Sequence, residues 1–238
     1  MRGERADMKA FILCGGRGER LKPITDKLPK PMVPVAGKPI LEYQVDLLKK
    51  HGVRDVVFLV GWYGETIESY FGDGSGFGIR AEYSYEDPNN RLGTAGPIRA
   101  AKDKVDGAVI VMNGDIVSNT DIGRIVAFHT KRKCLGTINM INMPSPFGII
   151  DLDGDRITQF REKPVLPYKM NAGLYVIEPE VVDMMPSVGS IETDVFPKIA
   201  ATGKLCGFDS TGIYWSDVGT HKDLEKVSKD VQSGVFKL

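Results

Sequence analysis

The sequence is poor in the residues that mark cross-linked or metal-clustered proteins. It contains three cysteines and three histidines in 238 residues. Cys14, Cys134 and Cys206 show no CxxC spacing, so we predict three reduced, mostly buried thiols in a cytoplasmic protein. The histidines are equally scattered, and for that reason we expect no zinc site.

The formal net charge is zero, and the sequence has no long apolar run. Lys plus Arg and Asp plus Glu both number 31, so no global field attracts nucleic acid or an anionic membrane. No apolar run reaches the length of a membrane-spanning helix. The charged start, MRGERAD, has no apolar core and does not resemble a signal peptide. We therefore expect no nucleic acid and no membrane as partners, with Met8 an alternative start and residues 1–7 a loose extension.

Strand-like and helix-like segments alternate through the first half of the chain. Residues 8–14, 55–60 and 108–112 are apolar runs typical of strands buried on both faces, and residues 94–104 are expected to be helical. This alternation predicts an α/β fold, Rossmann-like, with a mainly parallel sheet flanked by helices. Ligands of such sheets bind at the carboxyl ends of the strands. The second half, with a hairpin turn at Asp153-Gly154, is interpreted as a smaller α+β lobe.

A glycine-rich loop follows the first predicted strand. The loop contains Gly15, Gly16 and Gly18, and six cationic residues lie within it or soon after it: Arg17, Arg20, Lys22, Lys27, Lys30 and Lys38. Backbone N–H groups in such a loop, backed by cations, can cradle phosphate. The two commonest phosphate motifs do not fit. A P-loop needs Ser or Thr where Pro39 stands, and a dinucleotide fingerprint must lead straight into a helix, which Pro23 and the later prolines prevent.

The same stretch matches a longer signature. Residues 15–39 follow the pattern GGxGxRLxPxTxxxPKPMxPVxxKP, by which the chain resembles the sugar-1-phosphate nucleotidyltransferases, or nucleotide-sugar pyrophosphorylases. Five further blocks occur in the family's order: Leu92-Gly93-Thr94-Ala95-Gly96, Asn113-Gly114-Asp115, Glu162-Lys163-Pro164, Asn171-Ala172-Gly173 and Asp217-Val218-Gly219-Thr220. The resemblance implies one glycosyltransferase-A-like domain, 1–238, with a nucleotide-binding half (8–133) and a sugar-binding half (134–238). We expect no C-terminal β-helix, which is a departure from many mannose-1-phosphate guanylyltransferases.

The resemblance also implies a reaction. A sugar 1-phosphate would attack the α-phosphorus of a nucleoside triphosphate, giving a nucleotide-sugar and pyrophosphate. Arg20 and Lys30 match the residues that hold the triphosphate and stabilise charge at the reacting phosphoryl group, and Asp115 and Asp217 match ligands of Mg²⁺. Lys38 is given no role in the reaction.

On the nucleotide side, the resemblance points to six residues. Gly15, Gly16 and Gly18 would contact phosphate, Gly93 and Gly96 would lie against base and ribose, and Glu86 would read the edge of the base. A carboxylate can accept two hydrogen bonds from guanine, from N1–H and the exocyclic amine, which favours GTP. Glu86 beside Asp87-Pro88 is equally readable as an exposed acid.

On the sugar side, Gly114, Glu162, Lys163, Asn171 and Gly173 match residues that bind the sugar and its phosphate. Lys163 precedes a proline, so we expect an extended backbone there. Asn171 can instead be a turn residue that opens its strand.

Several alternatives stay open. Mannose-1-phosphate guanylyltransferases are the most similar group, but UTP- or dTTP-using enzymes, heptose-1-phosphate guanylyltransferases and phosphocholine transfer share the scaffold. A different class is a non-catalytic regulatory subunit that senses nucleotide-sugars. Without a trimerising β-helix the oligomeric state is open, a homodimer included.

Overall fold

The structure is a computed structural model that describes residues 8–238. The charged segment 1–7, expected to be a loose extension, lies outside the described residues. Among residues 8–238, no helix is long and apolar enough to cross a bilayer. The cytoplasmic location stays a prediction.

Thirteen strands and seven α-helices make up the described chain. The strands are β1 (Lys9–Leu13), β2 (Pro34–Val35), β3 (Lys38–Pro39), β4 (Asp55–Val60), β5 (Arg80–Tyr85), β6 (Val109–Asn113), β7 (Ile116–Ser118), β8 (Gly136–Pro144), β9 (Ile149–Asp153), β10 (Arg156–Arg161), β11 (Val165–Ile177), β12 (Leu205–Asp209) and β13 (Trp215–Asp217). The helices are α1 (Ile40–Lys50), α2 (Gly64–Phe71), α3 (Ala95–Ala100), α4 (Ile122–Arg132), α5 (Pro179–Asp183), α6 (Phe196–Ala201) and α7 (His221–Gln232).

One seven-stranded sheet forms the centre of the fold. Its order is β12-β8-β11-β6-β1-β4-β5, and only β11 runs against its neighbours, pairing antiparallel with both β6 and β8. The expected α/β fold with a mainly parallel sheet is confirmed. Strands from both halves of the chain share this sheet, while β9 and β10 form a separate hairpin.

The core lies on both faces of that sheet. Alternate residues of β1 point to opposite sides: Ala10 and Ile12 join one apolar cluster, Phe11 joins the other, and all three are fully buried. A third cluster fastens the glycine-rich loop to the rest of the domain, because Leu21 and Val33 pack there with Val218 and Phe236. The end of the chain therefore supports the loop that follows the first strand.

The expectation of three free thiols is wrong. Cys134 and Cys206 form a disulfide bond with 6.1 Å between their Cα atoms. They lie 72 residues apart, and they meet because β12 pairs in parallel with β8, which places Cys206 opposite Thr137. Cys14 is free and buried, and burial raises the pKa of its thiol.

Candidate active site

A cleft of about 250 Å³ opens at the carboxyl ends of β1 and β6. Leu13 ends β1 and Asn113 ends β6, and both line it. Seven of the residues that the sequence singled out line it too: Gly15, Gly16, Lys30, Glu86, Gly93, Gly114 and Asp115. Residues far apart in sequence meet here because parallel neighbouring strands end at the same edge of the sheet.

The glycine-rich loop turns sharply so that Lys30 can enter the cleft. Gly18 has φ +64°, a left-handed conformation that favours glycine. A Cβ on Gly18 would stand 2.9 Å from the Cβ of Lys30 and 2.9 Å from Cγ2 of Thr25. The loop therefore needs a residue without a side chain where it passes the lysine.

Lys30 lies between two carboxylates. Its Nζ is 2.5 Å from Oδ2 of Asp115 and 3.4 Å from Oδ1 of Asp217, and its side chain is only 12% exposed. Antiparallel pairing of β7 with β13 brings the acids together, since Asp217 is opposite Ile116 and the Val218 N–H donates to the Asp115 carbonyl at 2.9 Å. Lys30, Asp115 and Asp217 thus form one charged cluster, although Lys30 is 85 positions from Asp115 and 187 from Asp217 in the sequence.

The environment of Asp217 makes its negative charge costly, and nearby cations offset part of that cost. Burial raises the pKa of Asp217 above its ordinary 3.8, and the Asp115 carboxylate raises it further. Lys30 and Arg20 act in the opposite direction. Arg20 is close by: a Cβ on Gly219 would lie 3.0 Å from its Nη2 and 3.3 Å from Oδ2 of Asp217. Of the two expected catalytic residues, Lys30 lines the cleft and Arg20 does not. Arg20 lies beside Asp217 instead.

Glu86 closes another wall of the cleft. Its Oε2 accepts a hydrogen bond from the Leu92 N–H at 3.1 Å. A Cβ on Gly15 would lie 2.1 Å from its Oε1, so a side chain at that position would displace the Glu86 carboxylate. Burial raises the pKa of Glu86 above 4.5, with the Leu92 N–H and Arg91 acting against it. A partly buried carboxylate at the end of β5 is placed to accept hydrogen bonds from a ligand in the cleft.

The two glycines of the 92–96 block have different surroundings. Gly93 lines the cleft with φ +80°, and a Cβ there would collide with the backbone of Gly189. Gly96 is instead the second residue of α3, packed against the carbonyl of Ser187, and does not line the cleft. Gly96 therefore allows close packing between two segments of the fold.

Of the five residues expected on the sugar side, only Gly114 lines the cleft, and the other four do not. Glu162 and Lys163 form an ion pair at 3.5 Å, and each side chain is 61% exposed. Asn171 donates to Tyr175 Oη at 2.8 Å and accepts from the Gly173 N–H at 2.9 Å. Gly173, at φ +68°, packs against Asn113 and Ile116.

The extended backbone expected at Lys163 is wrong. Its φ is +45°, in the left-handed region. The chain has to turn between β10 and β11 at this point, and the Pro164 carbonyl is held by the Ser145 N–H at 2.9 Å. The turn outweighs the preference that a following proline imposes on its neighbour.

Sequence reasoning gave no role to four residues at or near the cleft. Arg91, Thr94 and Asn113 line it, and Glu192 hydrogen-bonds to Thr94 at 2.7 Å. Thr94 and Asn113 belong to motifs quoted above, so the motifs indicated that these two residues lie near the site but did not predict their contacts. Arg91 and Glu192 had no motif to mark them.

Comparison with known proteins identifies the family to which this chain belongs. A model of the nucleotidyl transferase family matches residues 9–234, so the chain belongs to that family. This confirms the resemblance drawn from the motifs. The chain is 35% identical over 236 residues to a mannose-1-phosphate guanylyltransferase of Mycobacterium tuberculosis, and 33% identical over 251 residues to a UTP–glucose-1-phosphate uridylyltransferase of Synechocystis. These alignments cover 95% and 97% of this chain, but only 65% of each relative.

Solved structures of similar size share the fold. A putative glucose-1-phosphate thymidylyltransferase from Bacillus anthracis superposes with a TM-score of 0.79 at 25% identity, with 97% of both chains covered. HddC from Yersinia pseudotuberculosis gives 0.76 at 26% identity, covering 94% of this chain and 99% of that one. A second structure of HddC is complexed with GMP-PN.

Proposed function

We propose that the protein joins a sugar 1-phosphate to a nucleoside triphosphate, with mannose 1-phosphate and GTP as the pair. The observation that carries this proposal is Lys30 held between Asp115 and Asp217 in a cleft walled by glycines. Clustered charges of both signs suit a reaction that brings two anions together. The guanylyltransferases among the relatives support the choice of GTP and mannose 1-phosphate.

The reaction needs position and charge more than acid–base chemistry. An oxygen of the sugar phosphate, already an anion, attacks the α-phosphorus in line; the bond to the β-phosphate oxygen breaks and pyrophosphate leaves. Lys30 and Arg20 would bind phosphate oxygens and stabilise the negative charge as it moves to the leaving group. The backbone at Gly15, Gly16 and Gly18 would hold the triphosphate.

The acids of the cluster fit a divalent cation. Asp115 and Asp217 present hard carboxylate oxygens to one small space, and burial, followed by the like charge of Asp115, raises the pKa of Asp217. Among residues 8–238 no group of three or more His, Cys, Asp or Glu side chains gathers as a metal cage. Mg²⁺ favours one or two carboxylates plus phosphate oxygens. Mg²⁺ held by these two residues would neutralise phosphate charge.

Base and sugar would then occupy opposite sides of the cluster. Glu86 is proposed to read the base and Gly93 to lie against it, with Gly96 shaping the loop behind. Gly114 would contact the sugar phosphate, and Glu162, Lys163, Asn171 and Gly173 the sugar. In this assignment residues 8–133 supply the nucleotide side and residues 134–238 the sugar side of one domain.

We also propose that two copies associate through the hairpin of β9 and β10. Its cross-strand pairs, Ile157 with Leu152 and Phe160 with Ile150, place four apolar side chains on one face, each between 47% and 64% exposed. An isolated two-stranded hairpin is marginally stable in water. A specific interface buries at least about 1,000 Å² in total, which two such faces and their charged rims would have to supply together.

The rim of the hairpin carries both signs of charge, with acids on and after β9 and arginines on β10, so a two-fold pair can match them. Leu152→Asp should then convert a dimer, at twice the 26.1 kDa chain mass, into a monomer in light scattering. Val235→Asp alters an equally exposed residue elsewhere and should leave the dimer intact. A wild-type chain that is monomeric at every concentration refutes the interface.

A substrate panel tests the proposed reaction. GTP, UTP, dTTP, ATP and CTP are each combined with mannose, glucose and heptose 1-phosphates and with phosphocholine, in Mg²⁺, and pyrophosphate release is measured. We expect GTP with mannose 1-phosphate to be fastest. A different best pair moves the assignment to one of the other enzymes named above. No release in any pair, together with tight binding of a nucleotide-sugar, would favour the regulatory class.

A further inference from the structure

The carboxylate of Glu192 joins two walls of the cleft. It lies in a π-helical segment, Ile191–Val195, outside the motifs that carried the resemblance. Its Oε2 accepts hydrogen bonds from Thr94 Oγ1 and Ser190 Oγ, both at 2.7 Å, and its Oε1 accepts from Tyr175 Oη at 3.1 Å. Both oxygens of the carboxylate are therefore engaged within the protein.

One arm of this network leads to the nucleotide side. Thr94 lines the cleft beside Gly93, and its Oγ1 also accepts from the Ile191 N–H at 2.9 Å. The backbone strengthens the same junction, because Ala95 N–H donates to the Gly189 carbonyl and Gly189 N–H donates to the Leu92 carbonyl, both at 3.0 Å. The segment around Glu192 thus holds the 92–95 loop in place.

The other arm leads to the sugar side. Tyr175 is fully buried in β11, where its hydroxyl donates to Glu192 and accepts from Asn171 Nδ2 at 2.8 Å. The remaining end of the Asn171 amide accepts from the Gly173 N–H at 2.9 Å. The orientation of the Asn171 side chain is therefore set by Tyr175, and that of Tyr175 by Glu192.

We propose that Glu192 is a positioning residue that fixes the nucleotide-side loop and the sugar-side strand relative to each other. The proposal rests on the proposed function, since it concerns the alignment of its two substrates. Hydrogen bonds to a carboxylate are stronger than neutral ones, and in a partly buried network they hold both partners to one geometry. In-line transfer is sensitive to such alignment, because a misplacement of about 1 Å costs on the order of 10²-fold in rate.

Four variants test the two arms of the network. Thr94→Val should raise the KM for GTP by about 5- to 10-fold, the loss of one hydrogen bond to a charged group, while leaving the KM for mannose 1-phosphate within about 2-fold. Tyr175→Phe should do the reverse. Glu192→Ala should raise both and lower kcat by about 10²-fold. Glu192→Gln, which keeps an acceptor for one arm, should recover part of the loss.

Glu225→Ala, an exposed acid on α7, is the control and should match the wild type. A purely structural role would lower Tm in these variants without separating the two KM values. The proposal is therefore overturned if Thr94→Val and Tyr175→Phe each change the KM for GTP and the KM for mannose 1-phosphate equally, or change neither. If the wild type releases no pyrophosphate, the proposed function fails by itself. In that case the Kd values of GTP and mannose 1-phosphate are measured by calorimetry, and Thr94→Val and Tyr175→Phe should each weaken the binding of one ligand only. A wild type that binds neither ligand overturns both the proposed function and the positioning role of Glu192.

Discussion

Replacing Lys30 by methionine should abolish most activity while leaving the fold in place. Methionine keeps the unbranched apolar stem and removes the ammonium that lies 2.5 Å from Asp115 and 3.4 Å from Asp217. Loss of one preorganised group that stabilises transition-state charge costs about 10²–10³-fold in kcat, or about 2.7–4 kcal/mol. We expect a decrease in this range, with a smaller change in KM.

The same substitution should alter stability in a way that depends on metal. Without Lys30 the two carboxylates face each other, but they are 30% and 43% exposed, so solvent screens part of the repulsion. We expect the metal-free variant to lose about 1–2 kcal/mol, less than the 3–5 kcal/mol of a broken buried pair. A divalent cation would supply the missing positive charge. Mg²⁺ should therefore raise Tm more in the variant than in the wild type.

Pyrophosphate release and thermal unfolding with and without MgCl₂ measure the two effects. Lys38→Met is the matched control, because Lys38 belongs to the same motif but pairs with Asp46 and Glu42 on α1. It should unfold at a lower temperature, keep kcat within about 3-fold and show the wild-type response to Mg²⁺. Wild-type kcat in Lys30→Met, or equal losses in both variants, would refute the reasoning.

Three further substitutions probe other walls of the cleft. Asp115→Ala should abolish activity and the stabilisation by Mg²⁺ while leaving the circular dichroism spectrum unchanged. Near-normal turnover would show that Asp115 is not a ligand of the metal. Burial raises the pKa of Glu86 above 4.5, so this carboxylate gains its proton at a higher pH than an ordinary glutamate, and GTP affinity should begin to fall at that higher pH on acidification. Glu86→Gln should bind GTP about 10-fold more weakly and should not show this pH dependence. Gly93→Ala should lower both Tm and GTP affinity, since its left-handed backbone and the adjacent Gly189 leave no room for a Cβ, whereas Gly107→Ala, which meets no atom within 4 Å, should change neither.

Local patterns in the sequence predicted three of the seven strands of the sheet well. The strand 55–60 has the expected bounds, and 8–14 and 108–112 each correspond to a strand within a residue or two. Continuous apolar runs of this length have few alternatives in an α/β fold. The helix expected over 94–104 ends at Ala100 and is followed by a 3₁₀ turn, Lys102–Lys104, because tertiary contacts decide where a short helix stops.

Contacts between distant segments could not be inferred in this way. The disulfide depends on β12 lying beside β8, and the position of Asp217 next to Asp115 depends on β13 pairing with β7. Motif order named both acids, but only the fold shows that Lys30 lies between them. Glu192 had no motif, since its role comes from hydrogen bonds to Thr94 and Tyr175 that no spacing rule encodes.

The fate of labelled phosphorus tests the central claim most directly. GTP labelled at the α-phosphorus, and separately at the γ-phosphorus, is incubated with mannose 1-phosphate, Mg²⁺ and the protein, and the products are separated. The proposed reaction places the α label in the nucleotide-sugar and the γ label in pyrophosphate, in equal amounts. Recovery of the γ label as inorganic phosphate or on the sugar, with no α label in a nucleotide-sugar, would contradict it.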